Sequence, residues 1–203
     1  MELNEPGIRV DADPELWIPV PLAFPSGEWA DRDAWVAAVA AAITGGIDAD
    51  DEVKRQLRAL TRDIAEMEPP EASAIARFWY FPRSGGGMQL AHLYVAFRDE
   101  VGDAPLDELG LRSSFEVLPQ RVERVESPNV DTALRIVAVG IAREGRRTVE
   151  VSLARYVGER HGVIAVLEVV DTRLEPIAEI LEPLAALFAG VSWSPRSPAA
   201  SDA

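Results

Sequence analysis

The chain has 203 residues, of which 48% are hydrophobic and 27% charged, and these proportions predict a globular protein with one core. Its formal net charge of −14 argues against a nucleic-acid partner, because phosphate binding needs clustered arginine and lysine side chains. The absence of cysteine excludes disulfides, thiolate metal sites and a cysteine nucleophile.

The acidic residues are concentrated in the first third of the chain. Residues 1–71 carry 16 Asp and Glu against 6 Lys and Arg. This excess indicates a solvated helical surface, and the alternative is a docking surface for a basic partner. All but one of the 20 basic residues are arginine, which together with abundant alanine suggests a bacterial genome of high GC content.

Residues 1–15 are polar and contain two prolines, so we predict a flexible arm there. Neither a signal peptide nor a run of about 18 apolar residues is visible, so we expect a cytoplasmic protein with no membrane partner. Residues 16–191 form a single predicted domain, and residues 192–203 a disordered tail.

Two amphipathic helices are predicted after an apolar segment, Leu16–Phe24, which two prolines restrict to an edge strand or an extended segment. The first helix covers about residues 31–43, with an Asp N-cap. The second begins near Asp48 or Asp50 and ends at Pro69. Its apolar residues have the clearest helical period of the chain: Val53, Leu57, Leu60, Ile64 and Met67.

Six strand-like segments follow. They are Ile75–Phe81, Leu90–Phe97, Ser114–Glu126, Thr132–Ala142, Arg147–Val157 and Val163–Val170. The turns between them are short, which favours antiparallel neighbours, and the acidic stretch 99–111 is expected to hold one short helical turn. A final helix is predicted from Thr172, where Glu175 completes a capping box, and Pro183 is expected to kink or split it.

Two of these strands are apolar on both faces. In Val163–Val170 only Glu168 interrupts the apolar residues, and in Thr132–Ala142 Arg135 does so. Because a sheet with one solvated face alternates cleanly, both faces must be covered at the sheet centre. Arg147–Val157 does alternate, which predicts a strand near an edge or an open face. We predict an α+β domain, a largely antiparallel sheet of about six to seven strands packed with two N-terminal helices and one C-terminal helix.

Two segments match part of a known sequence motif but lack residues that the motif requires. The acidic run that starts at Asp48 has Val53 where the EF-hand needs Gly and Ala59 where it needs Glu. The Gly-rich run 84–87 is not followed by the Lys of a phosphate-binding loop and is predicted to be a hairpin loop. We therefore predict no metal and no cofactor.

A polar and aromatic patch on the sheet is the candidate site for a ligand or a partner. His92 and Tyr94 share one face of a strand, and Arg77 and Trp79 have the same parity on the preceding strand. The later strands would add Arg135, Glu150, Ser152 and Glu168. Such a patch could line a pocket, and the alternative is a partly solvated sheet face. No Ser-His-Asp triad is recognisable, so no catalytic residue is assigned.

One stretch is predicted to form a strand, a turn, a strand and a helix, and it ends in a tryptophan: RRTVEVSLARYVGERHGVIAVLEVVDTRLEPIAEILEPLAALFAGVSW. In this order it resembles the Mog1/PsbP-like α/β/α sandwich proteins, over about a quarter of the chain. The resemblance implies a non-catalytic module that binds a protein partner. It transfers no site residues.

Two alternatives remain open. The element order as a whole is similar to that of the helix-grip (Bet v1/START-like) fold, which implies a carrier of a small hydrophobic ligand in a cavity beneath the final helix. Pro183 and the two prolines of the first apolar segment argue against it. The other alternative is an enzyme that uses Arg77, His92, Tyr94 or Glu150, whose side chains would have to converge in a cleft.

Overall fold

A computed structural model describes residues 8–45, 50–82, 88–113, 115–144 and 147–193. Its strands are β1 (Ile8–Val10), β2 (Trp17–Pro19), β3 (Ala76–Tyr80), β4 (Leu90–Phe97), β5 (Glu116–Val125), β6 (Thr132–Glu144), β7 (Arg147–Arg160), β8 (Val163–Asp171) and β9 (Val191–Trp193). Its helices are α1 (Arg32–Thr44), α2 (Asp51–Glu66), α3 (Arg98–Val101), α4 (Leu106–Leu111) and α5 (Leu174–Ala189).

A seven-stranded sheet in the order β2-β3-β4-β8-β7-β6-β5 forms the centre of the molecule. Every pair of neighbours in it is antiparallel. The predicted α+β architecture is therefore confirmed, with two N-terminal helices and one C-terminal helix. The acidic connection after β4 holds two short helices, α3 and α4, where one helical turn was expected.

Helices cover both faces of the sheet. On one face α5 packs over β7 and β8, and its side chains Ile180 and Leu184 are fully buried in the same cluster as Leu167. The opposite face is covered at one end by α1 and α2, which pack against Trp79. At its other end α4 packs over β6 and β7. This arrangement explains why the central strands are apolar on both sides.

The two N-terminal helices begin at aspartate caps. Asp31 accepts a hydrogen bond from the backbone N–H of Ala34 at 2.8 Å, and Asp50 accepts one from Val53 at 2.8 Å. Each cap satisfies one of the free N–H groups of a first helical turn. The Asp31 cap confirms the sequence prediction, and of the two residues proposed for α2 it is Asp50 that serves as the cap.

The final helix differs from the prediction at its N-terminus, and of the two outcomes expected at Pro183 the split does not occur. It begins at Leu174 with no side-chain cap on its first turn, so the capping box at Thr172 is wrong; instead Asp171 accepts the Arg173 N–H at 2.9 Å. Pro183 does not split the helix, which continues to Ala189. The filled interface beneath the helix favours the sandwich over the helix-grip alternative, which needs a large cavity at this place.

The strand β7 lies in the middle of the sheet, between β8 and β6, although its alternation predicted an edge or an open face. Its residues 151–158 are all buried, whereas Thr148 and Glu150 are exposed. The alternating pattern comes from this outer half of a 14-residue strand, and the buried half carries the core. The edges of the sheet are β2 and β5.

The two ends of the described chain pair with each other. Ile8–Val10 forms an antiparallel pair with Val191–Trp193, and Val10 and Val191 are buried in the core. The predicted arm over 1–15 is therefore wrong for residues 8–10, and the predicted tail over 192–203 is wrong for Ser192 and Trp193. The rest of the tail, residues 1–7 and the predicted hairpin loop lie outside the described residues.

None of the helices in the described ranges is both long enough and apolar enough to cross a bilayer.

The packing of α5 is tested by truncating one buried and one exposed leucine of the same helix. We expect Leu184→Ala to lower the free energy of unfolding by about 3 kcal/mol, because Leu184 is 0% exposed and its loss leaves a cavity. Leu174→Ala is the control, since Leu174 is 59% exposed and should change stability by less than about 0.5 kcal/mol. Urea denaturation of both variants measures the difference, and equal losses would contradict a solid interface under α5.

Candidate functional site

Four ionisable side chains form a row across the sheet face that carries α1, α2 and α4. In the strand register Arg77 lies opposite His92, His92 opposite Glu168, and Glu168 opposite Arg155. Each residue is at most 4% exposed. We call these four residues the polar row. Charged side chains are rarely buried so fully unless they are paired, so the partners of each one decide its role.

Arg155 binds both Glu168 and the end of α4. Its Nε and Nη2 atoms donate to Oε2 of Glu168. Its Nη1 atom donates to the carbonyl of Gly110 at 2.7 Å and to that of Arg112 at 3.0 Å. Burial raises the pKa of the Glu168 carboxyl, and the neighbouring guanidinium acts in the opposite direction. Arg155 thus compensates a buried carboxylate and satisfies carbonyls at a helix C-terminus.

Gly110 allows α4 to approach the sheet closely. A Cβ atom at this position would lie 2.5 Å from Cδ1 of Ile136 and 2.8 Å from Cγ2 of Val157. Both contacts are shorter than packed carbon atoms tolerate. The carbonyl of Gly110 is therefore held within reach of Arg155.

Arg77 has the corresponding role at the end of α2. Its Nη1 atom donates to the carbonyl of Met67, and its Nη2 atom donates to Pro21 at 2.8 Å and Ala65 at 3.3 Å. The carbonyls of Ala65 and Met67 belong to the C-terminal turn of α2, where the helix dipole favours a cation. Burial lowers the pKa of Arg77, and the charge of Arg32 adds to this effect.

His92 lies between the two arginines of the row. Neither of its ring nitrogens has a hydrogen-bond partner among the described residues, and both nitrogens are buried. Burial lowers the pKa of His92 to about 4, and the charge of Arg77 adds to the effect. His92 is therefore neutral near pH 7.

One open pocket lies on the α4 side of the polar row. It has a volume of about 180 Å³, and we call it the Tyr94 pocket. Its lining includes the apolar residues Ala96, Leu109, Ile164 and Val166, together with Tyr94 and the charged residues Glu71, Arg112, Arg155 and Glu168. The hydroxyl of Tyr94 lies 3.5 Å from Oε1 of Glu168. Burial raises the pKa of Tyr94, and the charges of Glu168 and Glu71 raise it further.

The second pocket lies on the other side of the polar row, has a volume of about 340 Å³ and is named here the Met88 pocket. Its principal lining residues are Met67, Met88, Leu90, His92, Val170 and Thr172. Met67 and Met88 are each 54% exposed, so its rim consists partly of flexible apolar side chains.

The two pockets are neighbours on the same strands. Tyr94 lines one and Leu90 the other, four residues apart on β4, and Val166 and Val170 are related in the same way on β8. At the rise of an extended strand this separation is about 13 Å. The coil that follows α2 lines both pockets, through Met67 at one and Ser73 at the other.

The structure brings together only part of the predicted patch. Arg77, His92 and Tyr94 share one sheet face with Glu168, as predicted. Trp79 lies on this face too, but it is buried under α1 and α2 and its ring is 4.8 Å from that of Phe81.

Arg135 and Glu150 do not belong to this face. Arg135 lies opposite Tyr156, a residue of the α5 side, and donates to Glu123. Glu150 has the same parity as Tyr156 and is exposed, and Ser152 shares that parity. The register of β6 and β7 therefore places Arg135, Glu150 and Ser152 on the α5 side of the sheet, and the prediction that they join the patch is wrong.

The residue that the sequence prediction missed is Arg155. It shares its parity on β7 with Leu153 and Val157, which belong to the core cluster beneath α4. A lone arginine in an apolar row of a central strand is the signal that could have identified it. That signal indicates a buried arginine only once β7 is known to lie inside the sheet, between β8 and β6.

Removing Arg155 tests whether the buried ion pair holds this face together. We expect Arg155→Ala to lower the free energy of unfolding by about 3–5 kcal/mol, because Glu168 is left buried without its partner. Replacing both residues, Arg155→Met with Glu168→Leu, should recover a large part of the loss. The control is Arg135→Ala, whose partner Glu123 is partly exposed, and it should cost far less. Urea unfolding that showed equal losses for Arg155→Ala and Arg135→Ala would contradict this role.

The burial of neutral His92 predicts a stability that depends on pH. Because the folded state lowers its pKa from 6.5 to about 4, protonation of His92 opposes folding. The free energy of unfolding should fall as the pH drops from about 6.5 towards 4, by about 3 kcal/mol in total. The charged groups that face His92 are Arg77 on β3 and Glu168 on β8.

Thermal and urea unfolding between pH 4 and pH 7.5 would measure this effect. His92→Gln should flatten the fall relative to the parent chain, whereas His161→Gln should keep it, because His161 is exposed in a turn. Identical pH profiles for the parent chain and His92→Gln would rule out His92 as the cause.

No group of three or more His, Asp or Glu side chains that could hold a metal ion occurs within the described ranges. No model of a known protein family matches this chain, and no curated protein matches it. Function is therefore inferred from the polar row and the two pockets.

Proposed function

We propose that this protein is a non-catalytic module that binds another protein in the gap between α2 and α4, above β4 and β8. The observation that carries the proposal is the contrast between the polar row and its surroundings. The charged groups of the row are engaged in bonds that hold the fold, whereas the two pockets beside them have apolar floors and open to solvent.

The state of the ionisable groups argues against an enzyme at this face. A general acid or base must reach a substrate within hydrogen-bond distance and titrate near the working pH. Both nitrogens of His92 are buried, and its pKa is about 4. Arg77 and Arg155 are bound to carbonyl groups, and Glu168 is bound to Arg155. These interactions support a structural role for the row.

The size and the spacing of the pockets support a protein partner. Sites for small ligands usually enclose about 300–1,000 Å³. The Tyr94 pocket offers about 180 Å³, enough for one side chain, and the Met88 pocket, at about 340 Å³, lies at the lower end of that range. Two pockets about 13 Å apart match two anchor side chains at positions i and i+4 of an extended segment. The exposed methionines at the rim suit a surface that adapts to its partner.

Charge indicates the chemistry of this partner. The chain carries a net charge of −14, and Glu68 and Asp171 line the Met88 pocket without an arginine or lysine. Complementary charge accelerates association and disfavours wrong partners. We infer a segment with two apolar anchors and a net positive charge.

The helical layers on both faces of the sheet agree with the sandwich that the resemblance implies, which supports the same kind of function.

A test compares two surface substitutions of the same kind. Met88→Arg places a cation at the rim of the Met88 pocket, and Leu118→Arg makes a matched change on the edge strand β5, where Leu118 is 50% exposed. A partner found by quantitative affinity enrichment would be purified and titrated against both variants. We expect Met88→Arg to weaken binding at least about tenfold and added salt to weaken it further, while Leu118→Arg binds as the parent chain does.

A purified partner that bound Met88→Arg as tightly as the parent chain, or that lost binding on Leu118→Arg, would contradict the proposed site. Turnover of a substrate would also contradict the proposal if it persisted in Met88→Arg but was lost when His92 was substituted.

A further inference from the structure

We propose that the Tyr94 pocket receives one aromatic ring that carries a hydrogen-bond donor, namely a tyrosine or tryptophan side chain of the partner protein. This inference rests on the proposed function and specifies the anchor that the pocket selects. It follows from the volume of the pocket, from the chemistry of its walls and from one carboxylate oxygen of Glu168, a residue that lines it.

The volume and the walls define the body of the anchor. An apolar cavity of about 150 Å³ in a protein core accommodates a benzene ring, and the Tyr94 pocket measures about 180 Å³. Ala96, Ile164 and Val166 from the sheet and Leu109 from α4 line it with aliphatic groups. An aromatic ring fills such a space and gains more from burial than a short aliphatic chain does.

The polar end of the pocket defines the donor. Arg155 binds Oε2 of Glu168, which leaves Oε1 as the second acceptor atom of the carboxylate. The hydroxyl of Tyr94 lies 3.5 Å from Oε1, well beyond the usual O–H···O distance of about 2.5–3.0 Å. Oε1 therefore keeps acceptor capacity for a group that enters the pocket. A ring without a donor would leave this buried oxygen with only the long contact from Tyr94, which is costly.

A negatively charged anchor is disfavoured because two carboxylates, Glu71 and Glu168, line the pocket and its two arginines already have partners. Arg155 is committed to Glu168 and to the carbonyls of Gly110 and Arg112. Arg112, which also lines the pocket, lies 3.5 Å from Glu108 in an ion pair. A cationic anchor is disfavoured as well, because it would lose its hydration against mainly aliphatic walls, and the Glu168 carboxylate that could compensate it is already bound to Arg155. A neutral phenol or indole satisfies all of these conditions, and both are frequent anchors at protein interfaces.

The experiment uses p-cresol as a probe of the phenol ring, with 4-methylanisole as a matched probe that lacks the donor. Titration of the full chain, followed by ¹H–¹⁵N NMR, should show p-cresol shifting the amides of Tyr94, Ala96, Ile164 and Val166 with a Kd on the order of 1 mM. 4-Methylanisole should bind at least about tenfold more weakly, because it cannot donate to Oε1 of Glu168.

Two variants fill the pocket from different sides. Ala96→Leu does so from β4 and Val101→Phe from α3, and each should abolish the shifts caused by p-cresol. Thr172→Leu, in the Met88 pocket, is the control and should bind p-cresol as the parent chain does. The amide spectrum of each variant without ligand reports whether it is folded, and the second filling variant keeps the test valid if the first unfolds.

A second arm separates this inference from the proposed function. If p-cresol binds as expected but the purified partner inserts no tyrosine or tryptophan here, the inference about the anchor is overturned, and the docking proposal then stands or fails on Met88→Arg alone. If the partner depends on the Met88 pocket but p-cresol and 4-methylanisole bind equally, or not at all, the docking proposal stands and the inference about the anchor is overturned.

Discussion

The pairing of Arg155 with Glu168 is the constraint on which this face of the molecule depends. Two charges buried at the centre of a sheet are tolerated only if each finds a partner, and here the pair leaves further donors of the arginine to satisfy the end of α4. Arg77 likewise donates to carbonyls at the end of α2, three strands away from Arg155. The positions of both covering helices are thus set by polar bonds from the sheet, while apolar packing supplies most of the burial.

The pockets follow from the spacing of these two arginines. Arg77 stands on β3 and Arg155 on β7, three strand intervals apart, which amounts to about 14 Å. The strands β4 and β8 lie between β3 and β7, and their residues line both pockets. The bonds that stabilise the fold therefore also place the ends of α2 and α4 around the proposed binding face.

Much of the fold could be predicted from local patterns, and the site only in part. The 3.6-residue period of α2 and the doubly apolar pattern of β8 predicted both elements and the coverage of both sheet faces. The strand β7 could not be placed, because the outer half of this long strand alternates like an edge. Arg135 and Arg155 could not be assigned to opposite faces, since the register between strands depends on pairing that one strand's parity does not reveal. The strands β1 and β9 have three residues each, too few to show an alternation.

The pair formed by β1 and β9 determines how the molecule responds to force. Ile8 lies opposite Trp193 and Val10 opposite Val191, so the chain leaves both strands at the same end of the pair. A pull on the two termini would therefore open the pair like a zipper, one residue pair at a time, instead of shearing all of its hydrogen bonds together. Because β9 follows α5 directly, the force would next act on α5, the helix whose side chains fill the core on that face.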